Sequence, residues 1–265
     1  MKKTIFIIMS IFIILIIMIY LSIIFFKKEK RQNIDIPILL YHNFVLKVPE
    51  EDPDDFNYIN TPESFEENIK TLLDNGYTFL SFKDLNDAYE NKIKLPSKPI
   101  LITLDDGYYS NYKYIFPIIK KYNVKVSIFI VTDNMGKIVD GKKYLTWDQC
   151  KNMQESNLVE IFSHSSKHLF YNRLPLKELR NDLKQSYKEI EKHLGKQKLK
   201  VFAYPYGAYT KESVTVLKLN GIDMQVYDLG INNFKDFNKN YIKRINIPCE
   251  MTGKEIIKEI NSMNY

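Results

Sequence analysis

Eight short apolar runs recur along this chain, and polar residues able to do chemistry stand directly after several of them. The runs are 36–40, 77–81, 100–104, 126–131, 159–163, 200–203, 224–227 and 241–245. Such near-continuous apolar character suits strands buried on both faces. Helical patterns fill the intervals. Thr61-Pro62-Glu63 places a capping residue before a proline at the first helical position. Thr146-Trp147-Asp148-Gln149 matches a capping box, and 175–194 is an amphipathic run ended by Gly195. The alternation predicts an α/β fold with a parallel sheet and outer helices. Seven to eight strands predict a distorted (β/α) barrel, in which functional residues occupy the strands' C-terminal ends.

The first segment stands apart. Residues 4–26 are almost all Ile, Phe, Leu and Met without a charge. As a helix they extend roughly 34 Å, enough to cross a bilayer's hydrocarbon core. A cleaved signal peptide is the alternative, but it ends at a small-residue site, and neither Ala nor Gly precedes Gly76. The expectation is therefore an N-terminal transmembrane helix with basic flanks (1–31) followed by one domain (32–265). The net charge of +6 does not point to nucleic acid. Six of the 38 basic and one of the 32 acidic residues fall in 1–31, leaving 32 and 31. The basic excess flanks the anchor, where it meets lipid headgroups, whereas a phosphate-tracking domain carries its own excess. Cys150 and Cys249 either pair or stay free; their spacing forms no metal motif.

Three of the four histidines lie in polar motifs after apolar runs. His164 and His168, in Ser163-His164-Ser165-Ser166-Lys167-His168, share a face if that segment begins a helix. Asp105-Asp106-Gly107 follows the run 100–104, and His42 follows 36–40 through Tyr41. Two His and a carboxylate form a ligand set with an open position for a catalytic metal. Neighbouring side chains on a strand point to opposite faces, so the two Asp serve one site only where the chain turns, which Gly107 permits. One carboxylate would then bind the metal while the other faces the attacking water. A solvated Asp-Asp-Gly turn is the plain alternative. His193 lies near the end of a charged helical run and suits the helix dipole. Tyr204-Pro205-Tyr206-Gly207 forms a rigid turn with backbone N–H groups free to stabilise an oxyanion. Tyr41, Tyr108, Tyr206 and Tyr209 are candidates to pack on sugar faces.

These motifs together resemble the polysaccharide deacetylases with a NodB-homology domain, over roughly residues 36–250. Thr103-Leu104-Asp105-Asp106-Gly107 is similar to the family's Thr-Phe-Asp-Asp-Gly, and Ser163–His168 to its Ser-His-Thr-x-x-His. The resemblance implies Asp105 as general base and Asp106, His164 and His168 as metal ligands. It also implies Tyr204 and Pro205 as part of the substrate groove, with the Tyr206 N–H at the oxyanion. Two features depart from the pattern. Ala203 stands where the third motif usually begins with Arg, and no C-terminal Leu-x-His motif occurs near Arg244. Both departures, with Tyr41-His42, resemble the branch that deacetylates the biofilm polymer poly-β-1,6-N-acetylglucosamine, which implies His42 as general acid. Asp228 is a further candidate for a supporting role.

The expected activity is metal-dependent hydrolytic N-deacetylation of N-acetylglucosamine units in a cell-surface polysaccharide. Zn²⁺ is the expected metal, and Co²⁺ or Ni²⁺ suit the same ligands. The expected placement is a membrane-anchored domain outside the cell. Peptidoglycan deacetylation and glycan binding without catalysis are the competing readings.

Overall fold

The computed structural model describes residues 2–29, 31–48, 57–227 and 229–263. Its centre is a curled, wholly parallel sheet, a distorted half-barrel. The strands are β1 (Ile38–Tyr41), β2 (Thr78–Phe79), β3 (Pro99–Leu104), β4 (Val126–Ile130), β5 (Val159–Ser163), β6 (Val201–Ala203), β7 (Met224–Val226) and β8 (Ile245–Asn246). Seven run in the order β7-β6-β5-β4-β3-β1-β8, and β2 pairs with the start of β3. The eighth apolar run behaves differently from the expected strand 241–245. Ile242 bridges Val226 of β7, while Ile245 and Asn246 pair with Leu39 and Leu40 of β1. One segment thus changes partner midway and links the two edges of the sheet.

Helices cover the sheet. They are α1 (Lys2–Glu29), α2 (Pro62–Asp74), α3 (Phe82–Tyr89), α4 (Phe116–Tyr122), α5 (Trp147–Glu155), α6 (Leu176–Leu194), α7 (Lys211–Leu219) and α8 (Gly253–Ser262). The expected caps form. Thr61 accepts the Ser64 N–H, and Thr146 and Gln149 close a capping box. α1 contains the apolar stretch Ile5–Ile24, long enough to cross a membrane and unburied along its length. Cys150 and Cys249 are both free thiols.

Strand alternation divides the core in two. Ile100, Ile102 and Leu104 point outward with Leu39, Tyr41, Ile128 and Ile161, and pack beneath α2, α5 and α8. Leu101 points inward with Ile38, Phe129, Phe162, Val201 and Met224. Phe82, Leu85 and Ala88 of α3 join that inner cluster at the strands' N-terminal end. The inner face is therefore plugged below and open above, where the polar motifs emerge.

α8 lies close on α2 because of Gly253, where an added Cβ would stand 2.5 Å from Thr71 Cβ. Gly253→Ala should cost about 1–3 kcal/mol through overpacking, read from urea unfolding.

Candidate metal centre and active site

Parity along β3 aims the first aspartate. Asp105 follows Leu101 and Thr103 on the inward register, and its carboxylate is 2 % exposed. Asp106 would face outward, but its φ of 71° and the 80° of Gly107 turn the chain back at once. A non-glycine residue in this region is strained, and such strain gathers at functional sites. At Gly107 an added Cβ would meet Ile130 Cγ2 at 2.9 Å, so the turn rests directly against the end of β4. Both carboxylates thereby remain at the mouth.

His164 lies on the inward register of β5, two residues beyond Phe162. The segment to His168 is not the start of a helix; α6 begins only at Leu176. Left-handed Ser165 (φ 73°) and His168 (φ 55°) curl the loop instead. The Asp182 carboxylate of α6 holds it, accepting the N–H groups of Ser166 at 3.2 Å and Lys167 at 3.0 Å and the Tyr171 hydroxyl at 2.7 Å. Ser165 Oγ accepts the His168 N–H at 2.8 Å.

These turns bring one ligand atom each from Asp106, His164 and His168 within 4.8 Å of one another. Asp106 Oδ1 is buried without a hydrogen-bond partner among the described residues. It lies 3.5 Å from His164 Nε2 and 3.2 Å from His168 Nε2. His164 Nδ1 is 2.9 Å from the Ala203 carbonyl. A carbonyl only accepts, so Nδ1 carries the hydrogen and a neutral ring turns its Nε2 lone pair toward Asp106. Burial lowers the His164 pKa and favours that neutral form. His168 Nδ1 meets the Tyr206 hydroxyl at 3.0 Å. The set fits a divalent cation with three protein ligands and an open position.

Asp105 is held differently. Arg244 Nη1 and Nη2 donate to its two oxygens at 2.7 and 2.8 Å. Nη1 also reaches Thr103 Oγ1 at 3.2 Å, and Nε reaches the Tyr227 carbonyl at 3.3 Å. Burial alone would raise the Asp105 pKa; Arg244 and His164 outweigh it and hold the group below its ordinary value. The result is a fixed carboxylate, ionised at neutral pH, beside the metal ligands.

A cleft opens over these groups, lined among others by His42, Tyr58, Tyr108, Tyr206, Tyr209 and Tyr227. Residue 42 continues the inward register of Ile38 and Leu40, and the His42 ring stands edge-on to Tyr58 at 4.9 Å. Its Nδ1 is buried without a partner among the described residues. Tyr206 has φ 59° and stacks on Phe170 at 3.9 Å. The turn's own bonds run from the Gly207 N–H to Tyr204 and from the Ala208 N–H to Pro205, leaving the Tyr206 N–H outside them.

A sequence model described as "Polysaccharide deacetylase" matches residues 92–225. YxkH of Bacillus subtilis (strain 168), which bears the family's name, is 30% identical over 232 residues, covering 86% of this chain and 77% of its own length. This chain belongs to the polysaccharide deacetylase family. A poly-β-1,6-N-acetyl-D-glucosamine N-deacetylase of Staphylococcus epidermidis is 28% identical over 63% of this chain, which spans only 60% of that relative. Among solved structures, a de-N-acetylase from Aggregatibacter actinomycetemcomitans is 25% identical, with a TM-score of 0.74 over 84% of this chain and 99% of that one. The deacetylase PplD of Streptococcus pyogenes shares the fold, with a TM-score of 0.76 at 24% identity over 86% of this chain and 99% of its own. As a member of this family with a metal-coordinating triad, the chain is a hydrolase.

The deacetylase cleft does not gather every residue expected in it. Tyr41 is a neighbour of His42 on β1 and therefore points outward. It is 1% exposed, its ring packs on Phe65 at 5.3 Å, and its hydroxyl accepts from Asn68. It cannot stack on a sugar. Tyr204 leaves β6 on the outward register and donates to Gln225 Oε1 at 2.5 Å, yet it still borders the cleft. Its ring belongs to the core under α6 and α7, and Pro205 is buried with it. Tyr108 lines the cleft, where burial and the nearby Asp106 carboxylate raise its pKa. Asp228 lies outside the described residues. Sequence reasoning missed Tyr58, Tyr227 and above all Arg244. The chain has only four arginines among 38 basic residues. One of them inside an apolar strand was the available signal, since a planar fork suits a buried carboxylate where lysine does not.

Arg244→Met should leave Asp105 charged and unpaired, costing about 3–5 kcal/mol of stability by chemical denaturation. Asp182→Asn should loosen the histidine loop and weaken Zn²⁺ binding about 10–100-fold by calorimetric titration.

Proposed function

We propose that this chain is a metal-dependent N-deacetylase of β-linked N-acetylglucosamine units in a cell-surface polysaccharide, with poly-β-1,6-N-acetylglucosamine as its polymer. The observation that carries the reading is the shared cleft: an ionised Asp105 stands beside the Asp106–His164–His168 set, with His42 on the wall above. The named activity of the staphylococcal relative supports the choice of linkage. We assign Zn²⁺ as the metal, with Co²⁺ and Ni²⁺ able to use the same ligands.

The bound cation would polarise the acetamide carbonyl and lower the pKa of water. Asp105 accepts a proton from the water whose oxygen attacks the carbonyl carbon. Arg244 keeps that carboxylate aimed and anionic between turnovers. The Tyr206 N–H donates to the carbonyl oxygen as negative charge develops on it. His42 gives a proton to the nitrogen as the C–N bond breaks, so the leaving group departs as a neutral amine and acetate remains. Tyr58, Tyr206, Tyr209 and Tyr227 offer aromatic faces to neighbouring sugar rings.

The anchor and domain bounds follow the same reading. Residues 1–31 hold the enzyme on the membrane through Ile5–Ile24, and 32–265 act outside the cell on the polymer.

The test is acetate release from poly-β-1,6-N-acetylglucosamine by the full chain, measured after chelation and again after Zn²⁺ is restored. Activity should vanish and return. Asp105→Asn should lower kcat by about 10²–10⁴ with metal content unchanged; full activity in that variant removes Asp105 as the base. Acetate released from peptidoglycan and not from the β-1,6 polymer would reassign the substrate.

A further inference from the structure

All strands of the sheet are parallel, so their N-terminal ends share one face, opposite the cleft. Two turns feed that face from helix ends. Residues 91–98, between α3 and β3, and 195–200, between α6 and β6, together hold Lys92, Lys94, Lys98, Lys196, Lys198 and Lys200 and no acid. All but Lys200 are exposed, and Ile93 between the first two lysines is 44% exposed. Lys92 is paired with Asp87 at 3.2 Å and Lys200 with Glu191 at 2.8 Å; against 32 basic and 31 acidic residues in 32–265, the other four still concentrate one sign on this face.

The anchor leaves the domain at this same face. Arg31 lies over the Tyr89 ring at 3.8 Å and over Phe234 at 6.0 Å. Gln32 exchanges two hydrogen bonds with the Leu95 backbone, inside the first lysine turn, at 3.1 and 2.9 Å. The apolar span ends at Ile24 and α1 continues to Glu29. From Ile24 to its end at Glu29 the helix rises only about 8 Å, and the docked Arg31 follows two positions later. The screening length at physiological salt is about 8 Å. The lysine face therefore stands within reach of a headgroup layer's field. The metal ligands, a six-residue strand higher, stand roughly 20 Å further out.

We propose that this lysine face is a docking surface for anionic lipid headgroups, which holds the domain upright with its cleft directed away from the bilayer. The proposal rests on α1 being kept as an anchor. The clamp of Arg31 and Gln32 fixes which face meets the membrane, and the lysines give that face its affinity.

The test uses the full chain in lipid nanodiscs of phosphatidylcholine alone or mixed with phosphatidylglycerol. Hydrogen exchange of the amides in 91–98 and 195–200 should slow about fivefold or more with phosphatidylglycerol, the effect of ~1 kcal/mol per lysine near such a surface. High salt should remove the difference. The triple variant Lys94→Glu, Lys196→Glu, Lys198→Glu should remove it too, with acetate release unchanged. Equal exchange in both discs overturns the docking surface and leaves the anchor standing. Protection by soluble polyphosphate with no lipid dependence assigns the face to a free polyanion and overturns it as well. The intact mass of protein extracted from its native membrane reads the anchor separately: a chain lacking α1 overturns both.

Discussion

The two-residue period of the strands decides what reaches the active site. Along β1 it sends Tyr41 outward and His42 in; along β6 it sends Ala203 in and Tyr204 out. Along β3 it delivers Asp105 to the inner face without any special backbone. Asp106 is the residue that breaks the rule, and its left-handed conformation is the cost of placing two neighbouring carboxylates in one site. Ser165, His168 and Tyr206 share that conformation around the same centre. The metal set is thus built by loops forced out of regular structure, on a scaffold that is otherwise regular.

The buried Asp105–Arg244 pair is the second constraint. Removing two charges from water is expensive, and mutual attraction offsets this only when geometry and further hydrogen bonds are good. Here both carboxylate oxygens are paired, and the guanidinium has further acceptors in Thr103 and the Tyr227 carbonyl. Well-packed apolar residues of similar volume often replace such a pair at no cost in stability. What the ionic pair supplies is a carboxylate that stays ionised while buried, a property an apolar core cannot provide.

Much of this was legible in the residues. All eight apolar runs became strands or bridged segments of the sheet, because parallel strands buried on both faces cannot hide their composition. The polar motifs at their ends were visible for the same reason. His164 and His168 converge without the helix that would put i and i+4 on one face, since that spacing serves a curled loop as well. The sugar-facing role expected of Tyr41 failed on parity, which the neighbouring His42 already implied. Arg244 was hidden because its partner lies 139 positions away, and no local pattern encodes a pairing across that distance. Ala203 stands out in the sequence where the related motif has arginine; that Arg244 supplies the guanidinium beside Asp105 is seen only in the fold.

The late position of Arg244 has a consequence for the order in which the enzyme becomes competent. Arg244 sits in the segment that joins the two edges of the sheet and enters its last strand. Asp105 and every metal ligand are synthesised well before it. Until β8 docks, the Asp105 carboxylate lacks its counter-ion and the half-barrel lacks its link. A chain still emerging from the ribosome or the translocation machinery, or one clipped before residue 244, therefore carries the ligands beside an unpaired Asp105. The topology makes completion of the fold a checkpoint for the chemistry.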